Sequence, residues 1–292
     1  MSSISGGFVG RVTVLRAVHL HSRAVSTDGL LELALGAARD AGELLLERFG
    51  GPASGVESKS STTDMVSDAD RAAERFLLER IRSARPEDGV LGEEGASVEG
   101  TSGLTWVVDP LDGTTNYLFG YPVWSVSVAC EDADGGVVGV VHDPTRGETF
   151  AAARGAGATL NGRPVRTRAP RGLDRALVGT GFGYDPGERE FQGRVLAHML
   201  PRVRDARRGG SAALDLAWVA CGRLDGFYEW GIKEWDRAAG MLLVAEAGGA
   251  VSVFDPGGGL PECVVAAAAD QHEPLRELVV AAIAHAGEMI DR

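Results

Sequence analysis

The most informative stretch of the sequence runs from Trp106 to Asn116 and reads WVVDPLDGTTN. Its apolar start predicts a buried strand that ends at Asp109, after which Pro110 fixes a turn. Asp112 returns shortly afterwards, so two carboxylates and the Leu111 carbonyl can converge on one side. Ligands that are all oxygen suit a hard cation, and Mg²⁺, whose shell is completed by waters and substrate phosphate oxygens, is the natural candidate.

Gly113, Thr114 and Thr115 predict the start of a short helix directly after these carboxylates. Free N–H groups and threonine hydroxyls at a helix start can hold a phosphate, so a metal and an anion would share one turn. The alternative is a simple polar turn in which Asp112-Gly113 is turn chemistry and Thr114 is a helix cap. A bare D-x-x-D-G pattern alone would favour the polar turn. The complete string from Trp106 to Asn116 is far less expected by chance and favours the metal and phosphate site.

Three further acidic segments flank this stretch: the helix start at 67–70, the loop at 91–95 and the segment 235–240. Each has an ordinary structural explanation when it is considered alone. Asp70 could complete a capping box, Glu93 could lie in a solvated loop, and Asp236 could favour a helix N-terminus. Taken together, the segments are better explained by one site lined with carboxylates.

Other catalytic signatures are absent from the sequence. The chain has no Walker A motif, no G-x-S-x-G elbow and no H-E-x-x-H pair, and its only lysines are Lys59 and Lys233. The glycines at 179, 181 and 183 lack the G-x-G-x-x-G spacing of a dinucleotide site. The histidines are scattered without paired spacing. The chemistry is therefore assigned to carboxylates.

Composition limits the class of protein. The chain has 292 residues, of which 44% are hydrophobic, and a formal net charge of −12. The acidic excess argues against a nucleic-acid or anionic-membrane partner. The cysteines Cys130, Cys221 and Cys263 are isolated and odd in number, which fits a reduced cytoplasmic setting. No apolar run approaches the roughly 18 residues of a membrane span, so we expect a soluble protein.

Apolar periodicity predicts an α+β fold. Helices are predicted over 28–49, 67–85, 188–200, 211–221, 235–247 and 274–286. Strands are predicted over 105–108, 123–130, 137–141, 149–153, 158–160, 176–179, 203–206 and 226–229, and near Val251 and Val264, with hairpin signals at Gly135-Gly136 and Asn161-Gly162. We expect a layered αβαβα sandwich, with an antiparallel sheet and paired helices in the N-terminal half and a mixed α/β C-terminal half.

Residues 1–27 contain no acidic residue and no compact apolar block of the kind that marks a secretory signal. We interpret them as a flexible N-terminal extension or as the product of a start codon placed too early, with a transit peptide as the lesser alternative. The folded domain is expected to span 28–292, with subdomains of approximately 28–170 and 171–292.

With these motifs in place, the chain resembles the inositol monophosphatase family, whose members are magnesium-dependent, lithium-sensitive phosphatases of the fructose-1,6-bisphosphatase-like superfamily. The likeness extends from Asp28 to the C-terminus and is greatest to bacterial inositol-1-monophosphatases. The motifs that carry it are Lys59 with 64–70, 92–94, 109–116, 208–213, and Glu229 with 235–240. The resemblance implies a homodimer that acts on a small-molecule phosphate ester.

The resemblance also implies roles for single residues. Glu93, Asp109 and the Leu111 carbonyl would hold one Mg²⁺, and Asp109, Asp112 and Asp236 a second, with two or three ions in all. Asp70 and Thr114 match the pair that orients and deprotonates the attacking water, and Glu93 is counted with them as catalytic. The residues expected to contact the substrate are Asp112, Gly113, Thr114, Thr115, Arg208, Gly210, Ser211, Ala212, Glu229 and Asp236. Lys59 matches a family lysine near the metal loop.

Two functions follow as hypotheses. The first is hydrolysis of myo-inositol 1-phosphate or similar polyol phosphates, because the carboxylate of Glu229 can accept hydrogen bonds from several hydroxyls. Histidinol phosphate, fructose 1,6-bisphosphate and adenosine 3',5'-bisphosphate stay open as substrates of the same chemistry. The second is a non-enzymatic regulatory or assembly role, such as one in the transcription machinery, which the complete set of acids disfavours.

Overall fold

The computed structural model describes residues 12–15, 27–51, 54–58, 65–169, 172–257 and 259–288. Lys59 and Asp64 lie outside the described residues. The helices are α1 (Thr27–Leu46), α2 (Asp68–Ala84), α3 (Thr114–Leu118), α4 (Pro186–Met199), α5 (Ala212–Ala220), α6 (Glu234–Glu246) and α7 (His272–Glu288). The strands are β1 (Val12–Leu15), β2 (Glu57–Ser58), β3 (Met65–Val66), β4 (Gly89–Gly92), β5 (Ser97–Val98), β6 (Thr105–Asp112), β7 (Ser125–Asp132), β8 (Gly135–Asp143), β9 (Glu148–Ala153), β10 (Gly157–Leu160), β11 (Arg163–Val165), β12 (Leu177–Thr180), β13 (Asp205–Arg207), β14 (Gly226–Trp230), β15 (Gly249–Phe254) and β16 (Cys263–Ala268).

Helices and sheets alternate in layers across the described part of the chain. The first layer, α1 and α2, covers one face of an eight-stranded sheet. α5 and α6 lie between the other face of this sheet and a six-stranded sheet, whose outer face is covered by α4 and α7. This arrangement confirms the predicted α+β fold and its αβαβα order.

β6 lies inside the eight-stranded sheet, whose strand order is β11-β10-β9-β8-β7-β6-β4-β5. Trp106 and Val108 pack against the α1–α2 layer, whereas Val107 packs against the α5–α6 layer. Because both faces of the strand are buried, its sequence is continuously apolar rather than alternating. The sheet is antiparallel as predicted except where β4 pairs with β6 in parallel.

The two predicted hairpins differ in outcome. Asn161 and Gly162 both have positive φ angles, of 49° and 75°, and they connect β10 to β11 as the signal predicts. The turn predicted at Gly135-Gly136 is displaced, because Asp132 pairs with Gly135. The turn therefore lies at 133–134, and Gly135 opens β8.

The six-stranded sheet has the order β1-β15-β16-β14-β12-β13. Its strands run in mixed directions, because β12 runs parallel to β13 and β14 while β16 runs antiparallel to β14 and β15. β1 belongs to the predicted flexible extension but pairs antiparallel with β15, so that expectation does not hold for Val12–Leu15. Among the described residues, no helix combines the length and the apolar character needed to cross a bilayer.

Candidate active site

A cleft of about 500 Å³ opens where β6 and β14 end and where α3, α5 and α6 begin. The predicted site residues that line it are Glu93, Asp109, Leu111, Asp112, Gly113, Thr114, Thr115, Arg208, Gly210, Ala212, Glu229 and Asp236. Two others lie behind its surface, since Asp70 is fully buried and Ser211 is 1% exposed. The fold therefore brings acids from distant parts of the chain to one cleft.

Asp109 and Asp112 reach the same side of the sheet because β6 is irregular where it pairs with β7. Asp109 pairs with Ser127 and Asp112 with Ser125, so β6 contains one more residue than β7 over this interval. In a regular strand, side chains three residues apart point to opposite faces, and the bulge restores a common face. Pro110 lies in the bulge, where its missing N–H is tolerated. The predicted strand end at Asp109 is wrong, because β6 continues to Asp112.

Glu93 reaches the same place through β4. Gly92 pairs in parallel with Val108, so the next residues on the two strands, Glu93 and Asp109, are neighbours. Their side chains lie within hydrogen-bonding reach of each other. Glu93 therefore does not lie in a simple solvated loop, the ordinary explanation for this segment, but directly follows β4, a strand that the sequence did not predict.

Asp109, Asp112 and Asp236, which we call the carboxylate cluster, each have an oxygen within 4.8 Å of the other two. Asp236 is fixed at the start of α6, where it accepts a hydrogen bond of 2.6 Å from the Lys233 N–H. Burial, followed by repulsion from neighbouring carboxylates, raises the pKa of Asp109 and of Asp236, the latter to about 7. Burial also raises the pKa of Asp112 to about 6, although Ser211 opposes the shift.

No arginine or lysine among the described residues forms an ion pair with the carboxylate cluster. Buried carboxylates without a basic partner are costly, so such a group is expected to bind a cation. Its donors are all hard oxygens, with neither histidine nor cysteine in the group. This donor set suits Mg²⁺ better than a softer metal.

Asp70 and Thr114 form a hydrogen-bonded pair next to the cluster. The Thr114 Oγ1 lies 2.9 Å from Asp70 Oδ1 and 3.1 Å from the Leu111 carbonyl oxygen. Asp70 is the N3 residue of α2 and completes the predicted capping box with Ser67. Burial raises the pKa of Asp70, and hydrogen bonds from Ser67 and Thr114 oppose the rise.

Ser211 does not contact the cleft, although the resemblance placed it against the substrate. Its hydroxyl donates to Asp112 Oδ2 at 2.5 Å and accepts from the Leu214 N–H, so it caps α5. The Ala213 N–H also donates to Asp112, at 2.8 Å. One oxygen of Asp112 is thus used to anchor α5 against β6.

Gly113 joins β6 to α3 in a conformation that favours glycine. Its φ is +97°, and a Cβ atom there would lie 3.0 Å from the Val123 carbonyl oxygen and 3.1 Å from that of Gly210. The Asn116 amide donates to the carbonyl oxygens of Val123 and Gly209, at 2.7 and 2.9 Å. These contacts connect the junction of β6 and α3 to the loop that precedes α5.

The opposite wall of the cleft contains Glu229 at the end of β14. Burial, and then the nearby charge of Asp215, raises the pKa of Glu229 well above its usual range, and Arg208 opposes the shift. Phe182, Tyr184, Lys233 and other side chains also line this wall but were not predicted. For Phe182 and Tyr184 the available signal was the glycine-rich segment 179–183, which lacks the spacing of a nucleotide motif, and for Lys233 it was the adjacent 235–240 motif.

The family model for the inositol monophosphatase family matches residues 27–288. The inositol-1-monophosphatase SuhB of Mycobacterium tuberculosis is 46% identical over 233 residues, which cover 77% of this chain and 80% of the relative. The Nus factor SuhB of Pseudomonas aeruginosa is 44% identical over 234 residues, covering 77% of this chain and 85% of the relative.

A solved structure shows the same architecture. The extragenic suppressor protein suhB from Bartonella henselae superposes with a TM-score of 0.79 at 38% identity, covering 88% of this chain and 98% of that one. The match of sequence thus includes β6 and α6, which carry the carboxylate cluster. This chain belongs to the inositol monophosphatase family.

Proposed function

We propose that the chain is a Mg²⁺-dependent phosphomonoesterase that hydrolyses myo-inositol 1-phosphate or a similar small polyol phosphate. The observation that supports it most is the carboxylate cluster, which has no basic partner among the described residues and lies beside the Thr114–Asp70 pair. The name of the M. tuberculosis relative favours the same reaction.

In this proposal, Glu93, Asp109 and the Leu111 carbonyl hold one Mg²⁺, and the carboxylate cluster holds a second, with up to three ions in all. The bound ions supply charge neutralisation for the phosphate and acidify a water molecule. Burial, and then repulsion between the carboxylates, raises the pKa of Asp109, Asp112 and Asp236, so the metal-free site is expected to be strained. Metal binding is therefore expected to stabilise the folded state.

The Thr114–Asp70 pair serves as the proton acceptor in this proposal. The Thr114 hydroxyl carries one hydrogen, and when it donates that hydrogen to Asp70 its lone pairs are free to accept one from the attacking water. The water proton then passes to Thr114 as the hydroxyl proton passes to Asp70. Because burial raises the pKa of Asp70, its carboxylate is a better base than an exposed aspartate. The water oxygen attacks phosphorus directly while the bond between phosphorus and the polyol oxygen breaks, without a phosphoenzyme, and the leaving alkoxide takes up a proton from solvent.

The rest of the cleft positions the ester. The backbone N–H groups and hydroxyls at Gly113, Thr114 and Thr115 are assigned to the phosphate. Arg208 and Glu229, on the opposite wall, are assigned to the hydroxyls of the leaving group. A carboxylate that accepts two hydroxyl hydrogen bonds favours a polyol over a plain alcohol.

A panel of substrates tests this proposal. We expect Mg²⁺-dependent phosphate release from myo-inositol 1-phosphate that is abolished by EDTA, with slower release from histidinol phosphate, fructose 1,6-bisphosphate and adenosine 3',5'-bisphosphate. Turnover of histidinol phosphate without turnover of the inositol ester would refute the substrate assignment. Full activity in EDTA would refute the metal dependence.

A regulatory role is the second candidate, because a relative with 44% identity is named a Nus factor. The Asp109→Asn variant separates the two candidates. If hydrolysis is the function, this variant loses both activity and the ability to replace the wild-type gene in cells. Full complementation by an inactive variant would favour the regulatory role.

A further inference from the structure

The glycines of β12 and the residue after it have no assigned role. Gly179 pairs in parallel with Phe227, and continuing this register by two residues places Gly181 beside Glu229. Phe227 packs into the α5–α6 layer, and side chains two residues apart share a face, so Glu229 lies on that same side of the sheet. Because glycine has no side chain, positions 179 and 181 leave uncovered the face of the sheet on which Glu229 lies.

The approach at Gly181 is especially close. A Cβ atom at this position would overlap both oxygens and the carboxyl carbon of Glu229. The backbone φ of Gly181 is not positive, so the glycine is not needed for a turn. The space above its Cα is occupied by the Glu229 carboxylate itself.

A second acid, Asp215, lies near two other glycines of this region. A Cβ atom at Gly209 would lie 2.7 Å from Asp215 Oδ1, whereas one at Gly179 would come closest to Leu224, at 2.8 Å, and would lie 3.5 Å from the Asp215 carboxyl carbon. Asp215 is 1% exposed, and after burial its charge is the main cause that raises the pKa of Glu229. Burial raises the pKa of Asp215 itself well above its usual range, and the carboxyl group lies on the same side of β12 as Glu229.

We propose that Gly181 is a specificity-determining position, which gives the Glu229 carboxylate room to lie against β12 and so places it where it can bind the hydroxyls of the leaving group. This inference rests on the proposed function, in which Glu229 binds the hydroxyls of the polyol. An alanine at 181 would move the carboxylate away from β12 and out of the position in which it accepts those hydrogen bonds. Because the displaced atoms are the far end of a flexible side chain, the fold itself would be little affected.

The Gly181→Ala variant tests the inference with two esters, myo-inositol 1-phosphate and p-nitrophenyl phosphate, the second of which has no hydroxyls for Glu229. We expect KM for the inositol ester to rise about tenfold or more, and KM for the aryl ester and both kcat values to stay within about twofold. Gly193→Ala on α4, where a Cβ atom meets nothing within 4 Å, is the matched control. A general packing defect would instead affect both esters.

A double-mutant cycle tests whether Gly181 acts through Glu229. In a Glu229→Ala background the carboxylate is absent, so adding Gly181→Ala should change KM for the inositol ester by less than about twofold. Equal effects on the two esters, no effect on either, or additive effects in the cycle would overturn the inference. Failure of the wild-type chain to hydrolyse the inositol ester would instead refute the proposed function, which separates the two outcomes.

Discussion

Two groups of buried aspartates in the described part of this molecule lie in contrasting electrostatic settings. Asp88, Asp143 and Asp225 are at most 3% exposed, and each has an arginine partner, with N···O distances of 2.6 to 2.8 Å. Asp109 is as deeply buried, at 1% exposed, but it neighbours other acids instead. Equally buried aspartates thus face a positive charge in the first setting and negative charges in the second.

The consequences for protonation are also opposite. Burial acts to raise the pKa of Asp88, but hydrogen bonds and charge from Arg85 and other donors outweigh it and hold the pKa below its usual value. In the carboxylate cluster, burial and like charge act in the same direction, and the pKa of Asp236 rises to about 7. The charge of each arginine-paired aspartate is balanced within the chain. The charge of the carboxylate cluster is balanced only when a cation binds or a proton is taken up.

The largest expected effect is on turnover, through Asp109→Asn. This change removes the charge that both proposed metal positions share, and we expect kcat for myo-inositol 1-phosphate to fall at least about a hundredfold. Initial rates of phosphate release at saturating Mg²⁺ measure it. A variant that keeps more than about a tenth of the wild-type rate would show that Asp109 is not a shared ligand.

The second effect is on stability, through Asp225→Ala. Asp225 accepts two hydrogen bonds from Arg168, at 2.7 and 3.0 Å, and one from the Leu177 N–H, at 2.8 Å. We expect the free energy of unfolding to fall by about 2–3 kcal/mol while kcat is unchanged, because the pair is far from the chemistry. Urea unfolding monitored by circular dichroism measures it.

The control for this prediction is Glu190→Ala, which breaks an exposed pair with Arg194 on α4. We expect that change to lower the free energy of unfolding by at most about 0.5 kcal/mol. If the two variants lost the same stability, burial of the aspartate would not be what gives the arginine pairs their importance.

The third effect concerns pH and applies to the metal-free protein. The folded cluster has raised pKa values, about 6 for Asp112 and about 7 for Asp236, against 3.8 for an unperturbed aspartate. The folded state therefore holds more protons than the unfolded chain, so this contribution is fully present below about pH 4 and is lost as the pH rises through 6 to 7. In EDTA, thermal stability should fall from about pH 5 to about pH 8.

The Asp236→Asn variant tests the predicted direction of this pH effect. The asparagine oxygen can still accept from the Lys233 N–H, while one charge leaves the cluster. In EDTA at high pH we expect the variant to unfold at a higher temperature than the wild type, corresponding to about 1–2 kcal/mol. Excess Mg²⁺ should reverse the order of the two proteins. A variant less stable than wild type in EDTA would contradict the repulsion on which the comparison rests.

Local sequence signals predicted those parts of the site that depend on neighbouring residues. The Ser67–Asp70 capping box, the helix start before Asp236 and the Asn161-Gly162 turn all follow from short-range hydrogen bonds and backbone angles. The αβαβα order could be predicted because the spacing of apolar residues changes between strands and helices along the chain.

The parts that were missed depend on pairing between strands. β4 has glycine at both ends and only four residues, and nothing local indicates its parallel pairing with β6. The bulge after Asp109 is equally invisible, since it is defined by register against β7. The hydroxyl of Ser211 was assigned to the substrate because its position in the motif does not show that Asp112 binds it first.

The smallest expected effect concerns Asp70, which accepts hydrogen bonds from the Ser67 and Thr114 hydroxyls and from the Ser67 N–H. In Ser67→Ala, α2 loses the hydroxyl that accepts from the Ala69 N–H, and we expect the free energy of unfolding to fall by about 1 kcal/mol. Asp70 also loses the hydrogen bond that the Ser67 hydroxyl donates, which lowers the pKa of its carboxyl. The pKa should therefore rise further, so the acidic limb of the pH–rate profile should move to higher pH. Ser67→Thr keeps the hydroxyl and should restore the profile, whereas an unshifted limb in Ser67→Ala would remove Asp70 from the proton path.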